Sequence, residues 1–199
     1  MISDPRVLLA ALSVVALAFA AFGIWISHRS RLRRDVAEAG LVARLGGSVG
    51  HDSMRRKVIE ARVGGWDVRL TRVETSKSLC TWIELRVSAG ALGFELRPRR
   101  SQIVATLGPT AATGDADFDA RMLAMSSEPE RLVRILTPEL RRLLLDQAER
   151  EPWVWWWRLN GGVLRGEIRG SWGTSGFDAR CDLALAAAAT LAQEIERPR

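Results

Sequence analysis

The spacing of hydrophobic and polar positions changes twice along this chain. From Val7 to Ser27 it has no period. VLLAALSVVALAFAAFGIWIS is apolar on every side, is interrupted only by Ser13, Gly23 and Ser27, and carries no charge. Twenty-one helical residues at about 1.5 Å each span roughly 31 Å, the thickness of a bilayer's hydrocarbon core. The pattern predicts a transmembrane helix that starts at Val7 and sets the Trp25 indole at the headgroup boundary. The rival reading is a cleaved signal peptide, since Ala18-Phe19-Ala20 is a small-x-small site. Against it, the apolar run continues beyond Ala20, and the residues before Val7 set Asp4 against Arg6 instead of forming a basic leader.

A second pattern begins at Asp35. Val36, Ala39, Val42 and Ala43 fall near one face of a helix that Gly46-Gly47 ends. The period then drops to two. Lys57–Val63 runs into the turn signal Gly64-Gly65, and Trp66, Val68 and Leu70 alternate with Asp67, Arg69 and Thr71. Thr81, Ile83, Leu85 and Val87 alternate with Trp82, Glu84 and Arg86, and Phe94 and Leu96 with Glu95 and Arg97. Gln102–Leu107 reads as a further strand. Together these predict an antiparallel meander with one buried and one wet face.

Helical spacing returns at Ser127-Glu128-Pro129-Glu130, which has the form of a capping box, and restarts at Thr137-Pro138-Glu139. Trp153, Trp155, Trp157 and Leu159 then alternate with Val154, Trp156 and Arg158. Asn160-Gly161-Gly162 predicts a tight hairpin back through Val163–Arg169. A last helix, capped by Asp178, runs through Glu196 with Leu183, Ala187, Leu191 and Ile195 on one stripe. Runs of strands separated by runs of helices give an α+β class: one N-terminal transmembrane helix, then an antiparallel sheet with helices packed on one face. The organisation is an anchor with a basic juxtamembrane segment, 1–34, and an α+β domain, 35–199.

Charge decides orientation and argues against one class of partner. One Arg precedes the apolar run, whereas Arg29, Arg31, Arg33 and Arg34 follow it. The positive-inside rule therefore places the domain in the cytoplasm, on the inner membrane. The chain has 29 Lys and Arg against 23 Asp and Glu, a net charge of +6. Five Arg and one Asp lie in residues 1–34, which leaves 24 basic against 22 acidic side chains in the remaining 165, or +2. A domain so nearly balanced lacks the footprint of a nucleic-acid binder, although the whole-chain pI is about 10.7. Its expected partners are the membrane, through the helix, and a protein.

Candidate chemistry is sparse. Asp115, Asp117 and Asp119 alternate like the opening of a calcium loop, but Ala120 stands where that loop needs Gly and Ser126 where it needs Glu. The expectation is a turn with Asp side chains on backbone amides. Cys80 and Cys181 stand alone, and no zinc spacing can be drawn with His28 and His51. His51 is flanked by Asp52 and Ser53, and neighbouring side chains diverge too far to make a triad. No catalytic residue, metal ligand or cofactor is predicted. The candidate interaction surface is Trp156 with Arg158, on the strand face opposite Trp153, Trp155 and Trp157. The expected function is that of a non-enzymatic protein or lipid-surface interaction module, and the alternative reading is a membrane-associated enzyme using the carboxylates of Asp115–Asp119.

Thr113–Leu145, TGDADFDARMLAMSSEPERLVRILTPELRRLLL, resembles a pattern in uncharacterised bacterial membrane-anchored domains: Gly-Asp, Phe-Asp, a short strand, a polar-Pro-Glu turn, then Leu-Thr-Pro-Glu-Leu-Arg. Gly114, Asp115, Phe118, Asp119, Pro129, Glu130 and Leu136–Arg141 carry it. Met122 and Met125 depart from its β-branched or aromatic positions. The resemblance implies a hairpin and a further helix downstream and assigns no site residue. In outline the order of elements also resembles secretion-chaperone folds.

Overall fold

The computed structural model describes residues 5–74, 78–99, 108–150 and 156–197, with side chains of the first helix from Val15 onward. Trp153, Trp155 and the strand expected at Gln102–Leu107 lie outside the described residues. The α+β class stands: an antiparallel sheet of eight strands with helices against it.

Helix α1 runs unbroken from Pro5 to Leu45. Among the described residues no helix is long and apolar enough to cross a membrane. Within the apolar run, Val7 to Val14 fall where side chains are not described. Gly46, in the left-handed region at φ 61°, ends the helix. Four strands follow as a meander: β1 (Ser48–His51), β2 (Lys57–Val63), β3 (Trp66–Glu74) and β4 (Leu79–Arg86). The glycine-flanked stretch at His51 forms the end of this edge strand, paired Val49 to Ile59. Its four residues are too few to show a period.

The predicted meander breaks at the next strand. β5 (Phe94–Pro98) does not pair with β4. It pairs with β6 (Met122–Ser126), and the late hairpin of β7 (Trp157–Asn160) and β8 (Val163–Arg169) fills the gap, giving the order β1-β2-β3-β4-β8-β7-β5-β6. The hairpin turns on Gly161 and Gly162, at φ 56° and 73°, a conformation that glycine adopts freely. β7, which begins at Trp157, therefore runs through the interior of the sheet.

Four helices complete the domain: α2 (Ala116–Arg121), α3 (Pro129–Ile135), α4 (Pro138–Arg150) and α5 (Phe177–Glu196). Two caps differ from expectation. Glu128, not Ser127, is the N-cap of α3 and makes no side-chain cap bond, because Ser127 Oγ accepts instead from the Gly93 amide at 3.1 Å. Gly176 caps α5, and Asp178 pairs with Arg44 of α1 at 3.1 Å. Thr137 does cap α4, accepting from the Leu140 amide at 3.3 Å.

α5 lies on β4 and β8, with α4 beside it. Its buried Ala184, Ala187, Ala188 and Ala192 let backbone approach sheet. A cross-strand row beneath the helices reads Ile59, Leu70, Ile83, Gly166, Trp157, Leu96, Ala124. The Trp157 ring occupies the space a Cβ at Gly166 would need.

Candidate interaction surface

One residue along each strand from that apolar row lies a row of opposite character. It reads Glu60, Arg69, Glu84, Arg165, Arg158, Glu95, Met125, in register across seven strands, and it faces away from the helices. Arg69 Nη2 meets Glu60 Oε1 at 3.0 Å. Arg165 Nη2 meets Glu84 Oε1 at 2.5 Å. Opposite charges on facing positions stabilise antiparallel pairs, so Glu60 with Arg69 and Glu84 with Arg165 favour this register, whereas Arg165 faces a like charge, Arg158, across β7 and β8.

The next row carries indoles. Trp82 lies between two guanidiniums, with Arg165 Cζ 4.6 Å and Arg56 Cζ 5.4 Å from its centroid, within cation–π range. Glu167 Oε2 accepts from both Trp82 Nε1, at 3.4 Å, and Trp156 Nε1, at 3.2 Å. Each indole therefore has its one polar atom satisfied while the ring stays half-buried.

Between the β2–β3 hairpin and the β7–β8 hairpin this face is concave. The groove has a volume of about 1050 Å³, and Arg69, Arg86, Arg158 and Arg165 line it together with Glu60, Asp67 and Glu84. Arg86 and Arg158 have no carboxylate within 4 Å among the described residues, and the Arg158 Nε is buried without a hydrogen-bond partner. The groove thus offers two cationic groups, Arg86 and Arg158, beside two neutralised pairs, Arg69 with Glu60 and Arg165 with Glu84. Towards β5 the face closes, and Glu95 and Arg97 are buried with their charged groups 3.7 Å apart.

Arg158, singled out from sequence, lies in this groove, and Trp156 lies beside it through Glu167. Glu84, Arg165, Trp82 and Glu167 were not singled out. Their signal was the alternation of charge at i and i+2 in Glu84/Arg86 and Arg165/Glu167, but pairing β4 with β8 needs a contact between distant segments.

The Asp cluster is used up by backbone and two ion pairs, Asp117 with Arg121 and Asp115 with Arg141. Asp115 caps α2, accepting from the Phe118 amide at 3.1 Å. Asp119 accepts from the Thr113 and Gly114 amides at 3.1 Å and from the Thr113 hydroxyl at 2.9 Å. Asp117 is exposed and pairs with Arg121 at 2.7 Å. The segment leads into a helical turn before its strand, because a capped amide end favours a helix start. Among the described residues no group of three His, Cys, Asp or Glu converges on a point. Cys80 and Cys181 are buried, and burial, the dominant cause, pushes each thiol up to about 12. His28 and His51 are exposed.

On α1, Trp25, Arg29, Arg31 and Arg33 are exposed, and Arg34 is half-buried against the domain. Arg29 lies over the Trp25 ring at 5.2 Å. Further along, Glu38 is buried and ties three elements together, accepting from Trp172 Nε1 at 3.1 Å and from Lys57 Nζ at 3.0 Å. Leu41 is buried, and Arg44 reaches Asp182 on α5 at 2.5 Å. The second half of α1 is thus part of the domain.

The chain matches no protein-family model and no curated protein. Its fold is similar to the crystal structure of the mycobacterial trehalose monomycolate transport factor A, TtfA, with a TM-score of 0.56 over 85% of this chain and 97% of that chain. The two are 15% identical, so the likeness is one of fold.

Proposed function

We propose that this chain is a single-pass, membrane-anchored, non-enzymatic interaction module whose open sheet face takes a protein partner. The observation that carries the reading is the contrast within the sheet, where one face is closed by helices and the other keeps a concave surface with free Arg86 and Arg158. Membrane attachment rests on the uncharged stretch from Val7 to Ser27, and orientation on Arg29, Arg31, Arg33 and Arg34. The helix holds the module on the inner membrane, with the domain in the cytoplasm. A protein of similar fold is a transport factor for trehalose monomycolate, which fits a supporting role for this chain in a membrane process. Catalysis by Asp115–Asp119 has no comparable support, because those carboxylates are committed to amides and to Arg121.

A photo-crosslinking residue placed at Arg86 or Arg158 in cells tests this reading. The expected result is one discrete protein adduct from both positions, lost when Arg69→Glu is added, and none from Gln193 on the exposed side of α5. Equal adducts from Gln193, or an adduct indifferent to Arg69→Glu, would overturn the sheet face as the surface. A reporter fused after Arg199 checks orientation, and activity of a periplasm-only reporter there would reverse it.

A further inference from the structure

Away from the sheet face, a second cleft lies between α1 and the domain. It has a volume of about 470 Å³. Helix periodicity brings Trp25, Arg29 and Arg33, at i, i+4 and i+8, to one wall, joined by Arg34. The opposite wall is Arg72 of β3 with the loop Trp172-Gly173-Thr174. That loop is held against the helix. Gly173, at φ 87°, has no Cβ, and one there would stand 3.5 Å from the Arg34 Cα and 3.6 Å from the Ala37 Cβ. The adjacent Trp172 is bonded to buried Glu38. The cleft is therefore built from two parts of the chain clamped together one turn below it.

Its electrostatics are one-sided. Of the four guanidiniums, only Arg72 has a carboxylate within 4 Å among the described residues, Glu74 at 3.3 Å, and that carboxylate is 72% exposed. Arg29 faces the Trp25 ring, and Arg34 Nε donates to the Ser30 carbonyl at 3.1 Å. A topology signal accounts for arginines on the helix, but Arg72 lies in the folded domain. The cleft also has a defined height. Arg34 is seven residues beyond the end of the apolar run, roughly 10 Å along the helix, and Trp25 marks the interface.

We infer that this cleft binds the phosphate of an anionic phospholipid headgroup, with Arg29, Arg33 and Arg72 as its charged contacts and Trp25 at the acyl boundary. Guanidiniums match phosphate geometry, and basic pockets at this level take anionic lipid headgroups. The inference rests on the membrane-anchored reading above. It also gives the clamp through Glu38 a consequence, since a bound headgroup would fix the domain, and with it the open sheet face, at a set distance from the bilayer.

The test uses the full chain in nanodiscs of phosphatidylcholine, with and without one quarter phosphatidylglycerol, and reads the thermal unfolding midpoint. Phosphatidylglycerol should raise Tm by about 3 °C. Arg72→Gln and Arg33→Gln should each remove at least half of that rise, Arg72→Lys should retain most of it, and Arg31→Gln, outside the cleft, should leave it intact. Absence of a lipid-dependent rise, or equal loss with Arg31→Gln, would overturn the site. The same rise from free glycerol phosphate in phosphatidylcholine discs would overturn the lipid assignment. A chain that fails to float with the discs would instead overturn the anchor, a result separable from all the others.

Discussion

Two rows of the same sheet, one residue apart on every strand, behave as opposites. The row Ile59, Leu70, Ile83, Gly166, Trp157, Leu96, Ala124 is apolar and covered by helices; the row Glu60, Arg69, Glu84, Arg165, Arg158, Glu95, Met125 is charged at six of its seven positions. A single-residue slip in register would exchange them and bury the charges. The first row supplies stability through area removed from water, and the second supplies register and a surface. A substitution on the first row should therefore unfold the chain, and one on the open stretch of the second, from Glu60 to Arg158, should leave it folded and alter recognition; Glu95 and Met125, at the closed end, are buried.

The largest expected effect is at Trp157, fully buried over Gly166. Trp157→Ala should cost about 3–5 kcal/mol, read as a lowered denaturant midpoint of the full chain in detergent. A loss below about 1 kcal/mol would mean that the covered row does not hold the fold. Next is the joint between α1 and the sheet. Glu38→Ala removes the acceptor shared by Trp172 and Lys57 and should cost about 1–3 kcal/mol, as expected when a buried donor loses its partner. Faster protease cleavage near Leu45 should accompany it. Thr137→Ala, at the start of a helix on the covered side, should cost about 1 kcal/mol. Arg158→Ala, on the open row, should change the unfolding free energy by less than about 0.5 kcal/mol while weakening the photo-adduct at Arg86. A large stability loss at Arg158 would make the charged row structural and dissolve the contrast.

Much of this contrast was written in the alternation of Trp66–Thr71 and Thr81–Val87, because a period of two is a local property of the chain. The glycine pairs at Gly64-Gly65 and Gly161-Gly162 fixed two hairpins for the same reason. The insertion of β7–β8 between β4 and β5 was not legible, since the choice among strand neighbours depends on which edges the helices leave open. The caps of α3 and α5 were misread because Ser127 and Asp178 found tertiary partners, Gly93 and Arg44, that outcompeted the local amide. Arg158 was legible as a face residue, but Glu84 and Arg165, 81 positions apart, became a pair only once the chain closed.

The central claim is that the open sheet face is covered by a protein in the cell and bare in the isolated chain. Thiol labelling of Arg86→Cys measures this directly, with Gln193→Cys as the reference. The native Cys80 and Cys181 are buried, and their raised thiol pKa, about 12, keeps them silent near neutral pH. Arg86→Cys should label as fast as Gln193→Cys in purified protein and at least tenfold more slowly in permeabilised cells, with Gln193→Cys unchanged between the two. Equal rates at both positions in cells would contradict the claim.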